Sequence, residues 1–403
     1  MSAPQSNRPR VAILAFDLEE ASQIRAIRAM RLSGTDVVSL SYRRGHMNSD
    51  FRPEWRDVPL GAGSNGVGFS RLSVLLRGAL RVWRNAPSLG DIEVIVARNL
   101  DMALLALVLR LRLRRRVPLI YQCFDVHGLM TGGGLPSRMA RWAERRVLAR
   151  CSRLVVSAPA FLERYFTPVQ RYTGPAMVVE NRIFWGGPTP PRPKATQRCG
   201  PIRLGWVGTL RCPQTLDLLA GLADRLGPEQ ISIHMRGVVH RHQLPHLDEA
   251  LRGRVNLHYD GRYGYPQGLS RAHAGLDAVW AQDLWQPGAN SDWLLPNRIY
   301  EAGYFGCPAI AVWGTATGAR IIKDQSGLVV DEATVTALAT LLLGNRDALG
   351  EISQRLLFRP VEDFCQPLSE VQEMLTLPPP TIRAPMRRSR SRAGIGSKGQ
   401  TSP

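Results

Sequence analysis

The segment that decides the fold is residues 294–313, with the sequence LLPNRIYEAGYFGCPAIAVW. Pro296 suits the first turn of a helix, where its missing N–H group leaves no hydrogen bond unmade. Apolar and small residues follow with the period of a helix face that packs on a sheet, at Ile299, Ala302, Gly303 and Gly306. Gly306 can close the helix in a left-handed cap, and Pro308 prevents its continuation. The unbroken apolar run 309–313 predicts a parallel strand covered on both faces.

Two charged residues of this helix are spaced for a joint role. Arg298 and Glu301 lie three residues apart, which places them on the same helical edge. A guanidinium and a carboxylate beside the end of a parallel strand can hold a diphosphate and a ribose diol. The simpler alternative is an ordinary helix–strand unit with a solvent-exposed arginine–glutamate pair.

The pattern Pro-x-Arg-x-x-Glu-Ala-x-x-x-Gly-x-Pro resembles the donor-binding signature of GT-B-fold, sugar-nucleotide-dependent glycosyltransferases of family 4. With Ser291-Asp-Trp before it, the segment is most similar to transferases of bacterial exopolysaccharide assembly. The resemblance implies that Glu301 binds the nucleotide ribose, with Arg298 and Asn297 beside it in the donor site. Members of the family often carry a second glutamate eight residues earlier, where this chain has Trp293 preceded by Asp292.

Length and composition favour two domains and an anionic partner. The chain has 403 residues, more than one core usually fills, and its net charge of +19 comes almost entirely from arginine. A sugar nucleotide, a phospholipid surface or a nucleic acid would each match this charge. The six cysteines form no C-x-x-C pair, which favours reduced thiols over a disulfide framework or a zinc site. No signal peptide or bilayer-length apolar run is expected, so the protein is predicted to be cytoplasmic.

The first half begins as a Rossmann-like β-α-β unit, because apolar strands are predicted at 10–16 and 36–42 around a helix. No G-x-G-x-x-G follows the first strand, so a dinucleotide is not expected there. A further buried strand, 117–123, leads into Asp125 and His127 ahead of a glycine-rich loop. The family commonly has His-Asp at this point. The resemblance therefore implies that Asp125 and His127 are catalytic, with Phe124 in the place of the family histidine.

Residues 71–84 are basic and amphipathic. Arginines occur at Arg71, Arg77, Arg81 and Arg84, with apolar residues between them and no acid. We expect a helix that docks on an anionic membrane surface; the alternative is a core-facing helix with a solvated basic rim. The resemblance supports docking, since relatives that act on lipid-linked acceptors often approach the membrane with a basic first domain.

A second Rossmann-like domain is predicted after a proline-rich linker. The strand that starts at residue 202 is followed by Gly208 and Thr209, which resemble the family turn whose amides meet the donor diphosphate, with Arg211 as the nearest basic residue. Thr317 and Gly318 open a later helix whose amides would face a phosphate. The last strand of the first domain is predicted at 178–181, ending at Asn181.

These patterns predict an α/β protein with two Rossmann-like domains, the GT-B architecture, and a deep cleft between them. The expected parts are a first domain at 1–185, a linker at 186–200, a donor-binding domain at 201–359, a terminal helix crossing back at 360–377, and a disordered basic tail at 378–403.

The predicted function is retaining transfer of a hexosyl unit from a nucleotide sugar to a saccharide or lipid-linked acceptor. We expect no cofactor, no metal ion and no nucleic-acid partner, because the chain has no Asp-x-Asp motif and arginines can balance the diphosphate charge. The alternatives are a sugar-nucleotide epimerase of the same fold and a non-catalytic basic protein that binds anions.

Overall fold

The first half of the chain forms a seven-stranded parallel sheet. The structure is a computed structural model that describes residues 8–45, 50–63, 69–194 and 199–377, so the predicted tail lies outside the described residues. The strands are β1 Arg10–Ala15, β2 Asp36–Arg43, β3 Arg56–Ala62, β4 Val94–Arg98, β5 Leu119–Cys123, β6 Arg153–Val156 and β7 Ala176–Val178. Their order in the sheet is β3-β2-β1-β4-β5-β6-β7, which places β1 and β4 at the centre.

Helices cover both faces of this sheet. They are α1 Ala21–Leu32, α2 Phe69–Asn85, α3 Asn99–Leu113, α4 Gly128–Thr131, α5 Leu135–Leu148 and α6 Pro159–Phe161, with short turns at Ala86–Leu89 and Leu162–Phe166. The apolar side chains of α1 pack in one core with alternate residues of β1 and β4. Those of α2, α3 and α5 pack in a second core on the opposite face. This is the helix–sheet–helix layering of a Rossmann-like domain.

The second half repeats this architecture with six parallel strands. They are β8 Ile202–Leu210, β9 Ile231–Val239, β10 Leu257–Tyr259, β11 Ala278–Trp280, β12 Ala309–Val312 and β13 Gly327–Val330. Their order is β10-β9-β8-β11-β12-β13. The helices are α7 Pro213–Leu226, α8 Leu247–Leu251, α9 Leu269–His273, α10 Asn290–Trp293, α11 Asn297–Tyr304, α12 Ala316–Asp324, α13 Val335–Gly344, α14 Arg346–Phe358 and α15 Leu368–Leu375, with a short turn at Val361–Asp363.

The segment at 294–313 forms the predicted helix, stop and strand as α11 and β12. Pro296 is the residue that precedes the first turn of α11, one position earlier than expected. Gly306 has φ +71°, and a side chain there would collide with Leu357 of α14. The glycine therefore allows both the left-handed turn and the close packing of α14 on the end of α11.

Two predicted strand ends were wrong. Gly208 and Thr209 were expected in a turn, but β8 continues through both of them to Leu210, since β9 pairs with it over nine positions. Gly208 and Gly237 are partners in this pairing and both have positive φ, and a side chain on Gly237 would overlap the Gly208 carbonyl. In the first sheet β7 ends at Val178, three residues before Asn181.

Polar contacts join the two halves where the chain passes between them. The carboxylate of Glu180, just after β7, accepts hydrogen bonds from both terminal nitrogens of Arg320, at 2.6 and 2.7 Å, and from the hydroxyl of Tyr300 at 2.9 Å. The end of the chain then returns to the first sheet, where α15 packs against α1 and Arg182 pairs with Glu370 at 2.5 Å. A bidentate arginine–carboxylate contact fixes orientation as well as distance.

Arg192, in the proline-rich linker, holds the ends of two helices together. Its guanidinium donates to the carbonyl of Tyr304 in α11 at 2.9 Å and to that of Arg359, after α14, at 2.7 Å. A third hydrogen bond reaches the carbonyl of Leu356. These carbonyls lie at helix C-termini, where backbone acceptors lack partners and a positive charge is favourable.

We predict that Arg192→Met lowers the free energy of unfolding by about 2–4 kcal/mol, because three acceptors lose charge-assisted hydrogen bonds. Urea unfolding followed by tryptophan fluorescence measures the change. Arg241→Met is the matched control, since Arg241 forms an exposed ion pair with Asp248, a kind of contact worth about 0–1 kcal/mol. Equal midpoints for the two variants would contradict this role of Arg192.

Candidate active site

The carboxyl ends of the strands in both sheets meet at an inter-domain cleft. Asn290, in α10 of the second half, bridges it: its side-chain oxygen accepts the N–H of Val126 at 2.7 Å and its amide nitrogen donates to Asp125 at 3.1 Å. The loop after β5 is thus held directly against the loop after β11. Ligands of open parallel sheets bind at such carboxyl edges.

Asp125 presents its carboxyl to this cleft. Its side chain is exposed to the cleft, but the protein on either side limits its hydration. This desolvation raises the pKa of Asp125, while the hydrogen bond from Asn290 and the charge of Arg211 act in the opposite direction. The carboxylate retains acceptor positions for a sugar or acceptor hydroxyl. Its placement agrees with the sequence prediction, and its catalytic role stays a prediction.

His127 precedes α4 and has a defined tautomer when neutral. Its Nδ1 accepts the N–H of Leu129 at 3.1 Å, so the ring proton of the neutral imidazole is on Nε2. Burial and the nearby charge of Arg71 lower the pKa of His127. At neutral pH this side chain is therefore a neutral hydrogen-bond donor rather than a cation.

Glu301 lies on α11 and is only 4% exposed. Burial raises its pKa to about 6, although Arg25, Arg298 and the hydroxyl of Tyr265 each favour the charged form. Arg298 is half-buried one turn away, and its Nη1 lies 3.5 Å from the carbonyl of Trp280. No ion pair of Arg298 occurs among the described residues, so its charge is available to an anion.

Charges of alternating sign connect the two sides of the cleft. Arg211 lies 3.7 Å from Asp283, and its charge also acts on Asp125. Asp283 and Glu301 in turn act on Arg298. The resulting row, which we call the charge row, comprises Asp125, Arg211, Asp283, Arg298 and Glu301. Its two arginines could neutralise a diphosphate between the carboxylates.

The remaining predicted donor residues lie around this row. A side chain built on Gly208 would be 3.9 Å from Nη2 of Arg298, so this glycine borders the guanidinium, and half-buried Thr209 follows it in β8. Asn297 faces Arg25 of the first half. Thr317 is fully buried and donates to the carbonyl of Leu294 at 3.0 Å, and the N–H of Gly318 donates to the Thr315 hydroxyl at 3.0 Å. The last two groups are therefore engaged within the protein.

Comparison with known proteins identifies the family. A family model described as a glycosyl transferase 4-like domain matches residues 22–182. The succinoglycan biosynthesis protein ExoL of Rhizobium meliloti (strain 1021) is 30% identical over 338 residues, which are 83% of this chain and 84% of that protein. The chain belongs to the family 4-like glycosyltransferases.

Solved structures show the same fold in other glycosyltransferases. The sucrose-phosphate synthase of Thermosynechococcus elongatus superposes with a TM-score of 0.69 at 14% identity, covering 91% of this chain and 97% of that one. Anabaena HepE, in complex with UDP and glucose, gives 0.65 at 11% identity, with coverages of 91% and 98%. The predicted GT-B architecture, with two Rossmann-like domains, is confirmed.

Several cleft residues of this glycosyltransferase were not predicted from sequence. They are Arg25, Asn290, Asp283, Tyr263 and Tyr265. The sequence does contain a signal for Asn290 and Asp283, because polar residues cluster between β11 and α11, directly before the helix that carries Glu301. Arg25 carried no comparable signal, because it is one of several arginines on α1.

No helix in the described ranges is long and apolar enough to cross a bilayer. Among those same residues, no group of three or more His, Cys, Asp and Glu side chains is arranged to hold a metal ion.

The raised pKa of Glu301 has a consequence for stability. The folded transferase binds the proton of Glu301 more tightly than the unfolded chain, whose glutamate has the ordinary value of 4.5. Ionisation of Glu301 therefore opposes folding. It lowers the free energy of unfolding by about 2 kcal/mol when the pH is above the pKa of Glu301 in the folded protein, and this loss disappears as the pH falls below its pKa in the unfolded chain.

We predict that Glu301→Gln raises the melting temperature of the ligand-free transferase at about pH 8, and that this gain shrinks toward pH 5, where the wild-type carboxyl is largely protonated. Scanning calorimetry of both proteins over this range measures the difference. A variant that is less stable than wild type at pH 8 would show that ionised Glu301 stabilises the fold.

Proposed function

We propose that this glycosyltransferase moves a hexosyl unit from a nucleotide sugar to a saccharide or lipid-linked saccharide acceptor, with retention of configuration, in bacterial cell-surface or exopolysaccharide biosynthesis. The charge row carries the proposal, because it sets a buried carboxylate and two arginines beside each other at the cleft. The similarity to ExoL, a succinoglycan biosynthesis protein, supports the exopolysaccharide assignment.

The donor would be held mainly by the second domain, proposed as residues 201–359. Glu301 accepts the two ribose hydroxyls, while Arg298 and Arg211 bind the diphosphate. Gly208 leaves room for the phosphates next to Arg298. We propose that no metal ion is required, since the arginines supply the positive charge.

The transfer step needs no separate base. The bond between the sugar C1 and the diphosphate oxygen breaks, and the acceptor hydroxyl oxygen bonds to C1 on the same face. The hydroxyl proton passes to the departing diphosphate oxygen. His127 donates from Nε2 to a donor-sugar oxygen, and Asp125 accepts from a hydroxyl of the donor sugar or acceptor; both are exposed to the cleft.

We predict that UDP stabilises the protein and that Glu301→Ala abolishes the effect. A ligand at a hundred times its dissociation constant adds about 2.7 kcal/mol to the free energy of unfolding. This raises the melting temperature by roughly 5–10 °C for a domain of this size. Melting is measured with UDP, GDP and NAD on both proteins.

The outcome separates the proposed functions. Stabilisation by one nucleoside diphosphate, lost in Glu301→Ala, supports the donor site and names the nucleotide. No response to either diphosphate would overturn the role of Glu301. UDP is the first probe because the HepE structure contains it.

We also propose that the first domain docks on the inner face of the cytoplasmic membrane. The outer side of α2 exposes an apolar stripe at Leu72, Leu76, Leu80 and Trp83. Arg77, Arg81 and Arg84 are exposed on the same helix. The inner side of α2 packs on the core through other residues, such as Val74 and Val82. An exposed apolar stripe beside arginines is typical of helices that lie on anionic lipid.

We predict that Leu76→Glu combined with Leu80→Glu weakens binding to vesicles at least about tenfold, since apolar area is lost and negative charge is added. Sedimentation with phosphatidylcholine vesicles, with and without phosphatidylglycerol, measures binding. Leu343→Glu is the control, because Leu343 is similarly exposed on α13 of the other domain. Equal binding by all three proteins would rule out docking through α2.

A further inference from the structure

An arginine of the first domain reaches into the donor side of the cleft. Arg25 lies on α1 and is buried, and its Nη1 donates to the hydroxyl of Tyr265 at 2.5 Å. With the amide oxygen of Asn297 oriented toward it, the two terminal nitrogens of Arg25 also donate to that oxygen at 3.2 and 3.1 Å. Both acceptors belong to the second domain, and Asn297 opens the helix that carries Glu301.

Tyr265 covers the carboxyl of Glu301. It lies in the loop between β10 and α9, and its hydroxyl interacts with Glu301 so as to favour the charged carboxylate. Tyr263 of the same loop also faces this carboxyl. Together with Arg298, these groups leave Glu301 almost without solvent exposure. A ribose therefore cannot place its two hydroxyls on the carboxylate while this cover is in place.

We propose that Arg25 and Tyr265 form a clasp over Glu301 that a bound nucleotide replaces, so that Arg25 of the first domain opposes nucleotide binding at Glu301 of the second domain. The inference rests on the proposed function, because it assumes that the nucleotide ribose binds Glu301. Release of the clasp couples nucleotide binding to the contact between the domains.

The charges around Arg25 favour this exchange. Within its own domain Arg25 lies near Arg98, whose positive charge repels it. Across the cleft it is attracted by Glu301. Ribose hydroxyls can satisfy Glu301 in place of the Tyr265 hydroxyl, since a carboxylate accepts several hydrogen bonds. The tyrosine then no longer ties Arg25 to the carboxylate.

The test compares UDP binding by the full-length wild type, Arg25→Met and Tyr265→Phe, measured by titration calorimetry. Near pH 8 Glu301 is ionised in all three proteins. Each variant lacks a hydrogen bond that the nucleotide must otherwise displace, so we expect about three- to tenfold tighter binding. Arg28→Met is the control, because Arg28 lies on the same helix but pairs with Glu54 at the surface, and its affinity should match the wild type.

The pH profile provides a readout that a purely structural role would not move. The charged or titratable groups that face Glu301 are Arg25 from α1, Arg298 from α11, and Tyr263 and Tyr265 from the loop. Removal of Arg25 or the Tyr265 hydroxyl takes away a group that favours ionised Glu301. The pH at which UDP binding is lost on acidification should therefore rise by about half a unit or more in both variants.

The inference is overturned if Arg25→Met and Tyr265→Phe bind UDP at pH 8 as the wild type does, or more weakly. If Arg25→Met does not fold, Tyr265→Phe decides, since it keeps the ring and removes only the hydroxyl. Failure of the proposed function looks different. In that case the wild type binds neither UDP nor GDP, or Glu301→Ala binds them equally well. If the wild type binds and Glu301→Ala does not, the proposed function stands and only the clasp is in question.

Discussion

Pairing of charges at the facing sheet edges is the constraint on which the cleft depends. Asp283, Arg298 and Glu301 are partly or almost fully shielded from bulk water where the two sheets approach, and such groups are tolerated only with partners of opposite sign. The alternation of sign along the row meets this requirement. In the same arrangement, neither Arg211 nor Arg298 forms a close bidentate pair with a carboxylate of the described residues. Both guanidinium groups can therefore bind an anion.

Several polar contacts join the domains beside the cleft, next to an apolar core that includes residues of both halves of the chain. Glu180 binds Arg320 and Tyr300, Asn290 binds the backbone after β5, and Arg25 binds Tyr265. Hydrogen-bonded contacts of this kind have defined geometry but can be exchanged for water or ligand atoms. These polar contacts are therefore compatible with a cleft that must admit and release a nucleotide.

Sequence alone predicted much of the fold because its signals are local. The helix–strand unit at 294–313, the strands of both sheets near the cleft and the basic helix α2 each follow from periodicity within a short window. The strand β3 was missed, since Arg56–Ala62 includes Pro59 and lacks a clear apolar run. The extension of β8 through Gly208 was missed because it depends on pairing with Gly237. Arg25 and Tyr265 are 240 residues apart, and no local pattern brings them together.

The absence of an acid eight residues before Glu301 is explained by the packing of that position. Trp293 stacks on Tyr165 of the first domain, with ring centroids 6.5 Å apart, so the position serves the contact between domains. The neighbouring Asp292 accepts the N–H of Gly288 at 2.8 Å and closes its own loop. The carboxylate of Asp283 instead accepts a hydrogen bond from the Ser291 hydroxyl at 2.6 Å, faces Arg211 and acts on Arg298. A negative charge is thus retained beside these arginines, although an earlier residue of the same segment between β11 and α11 supplies it.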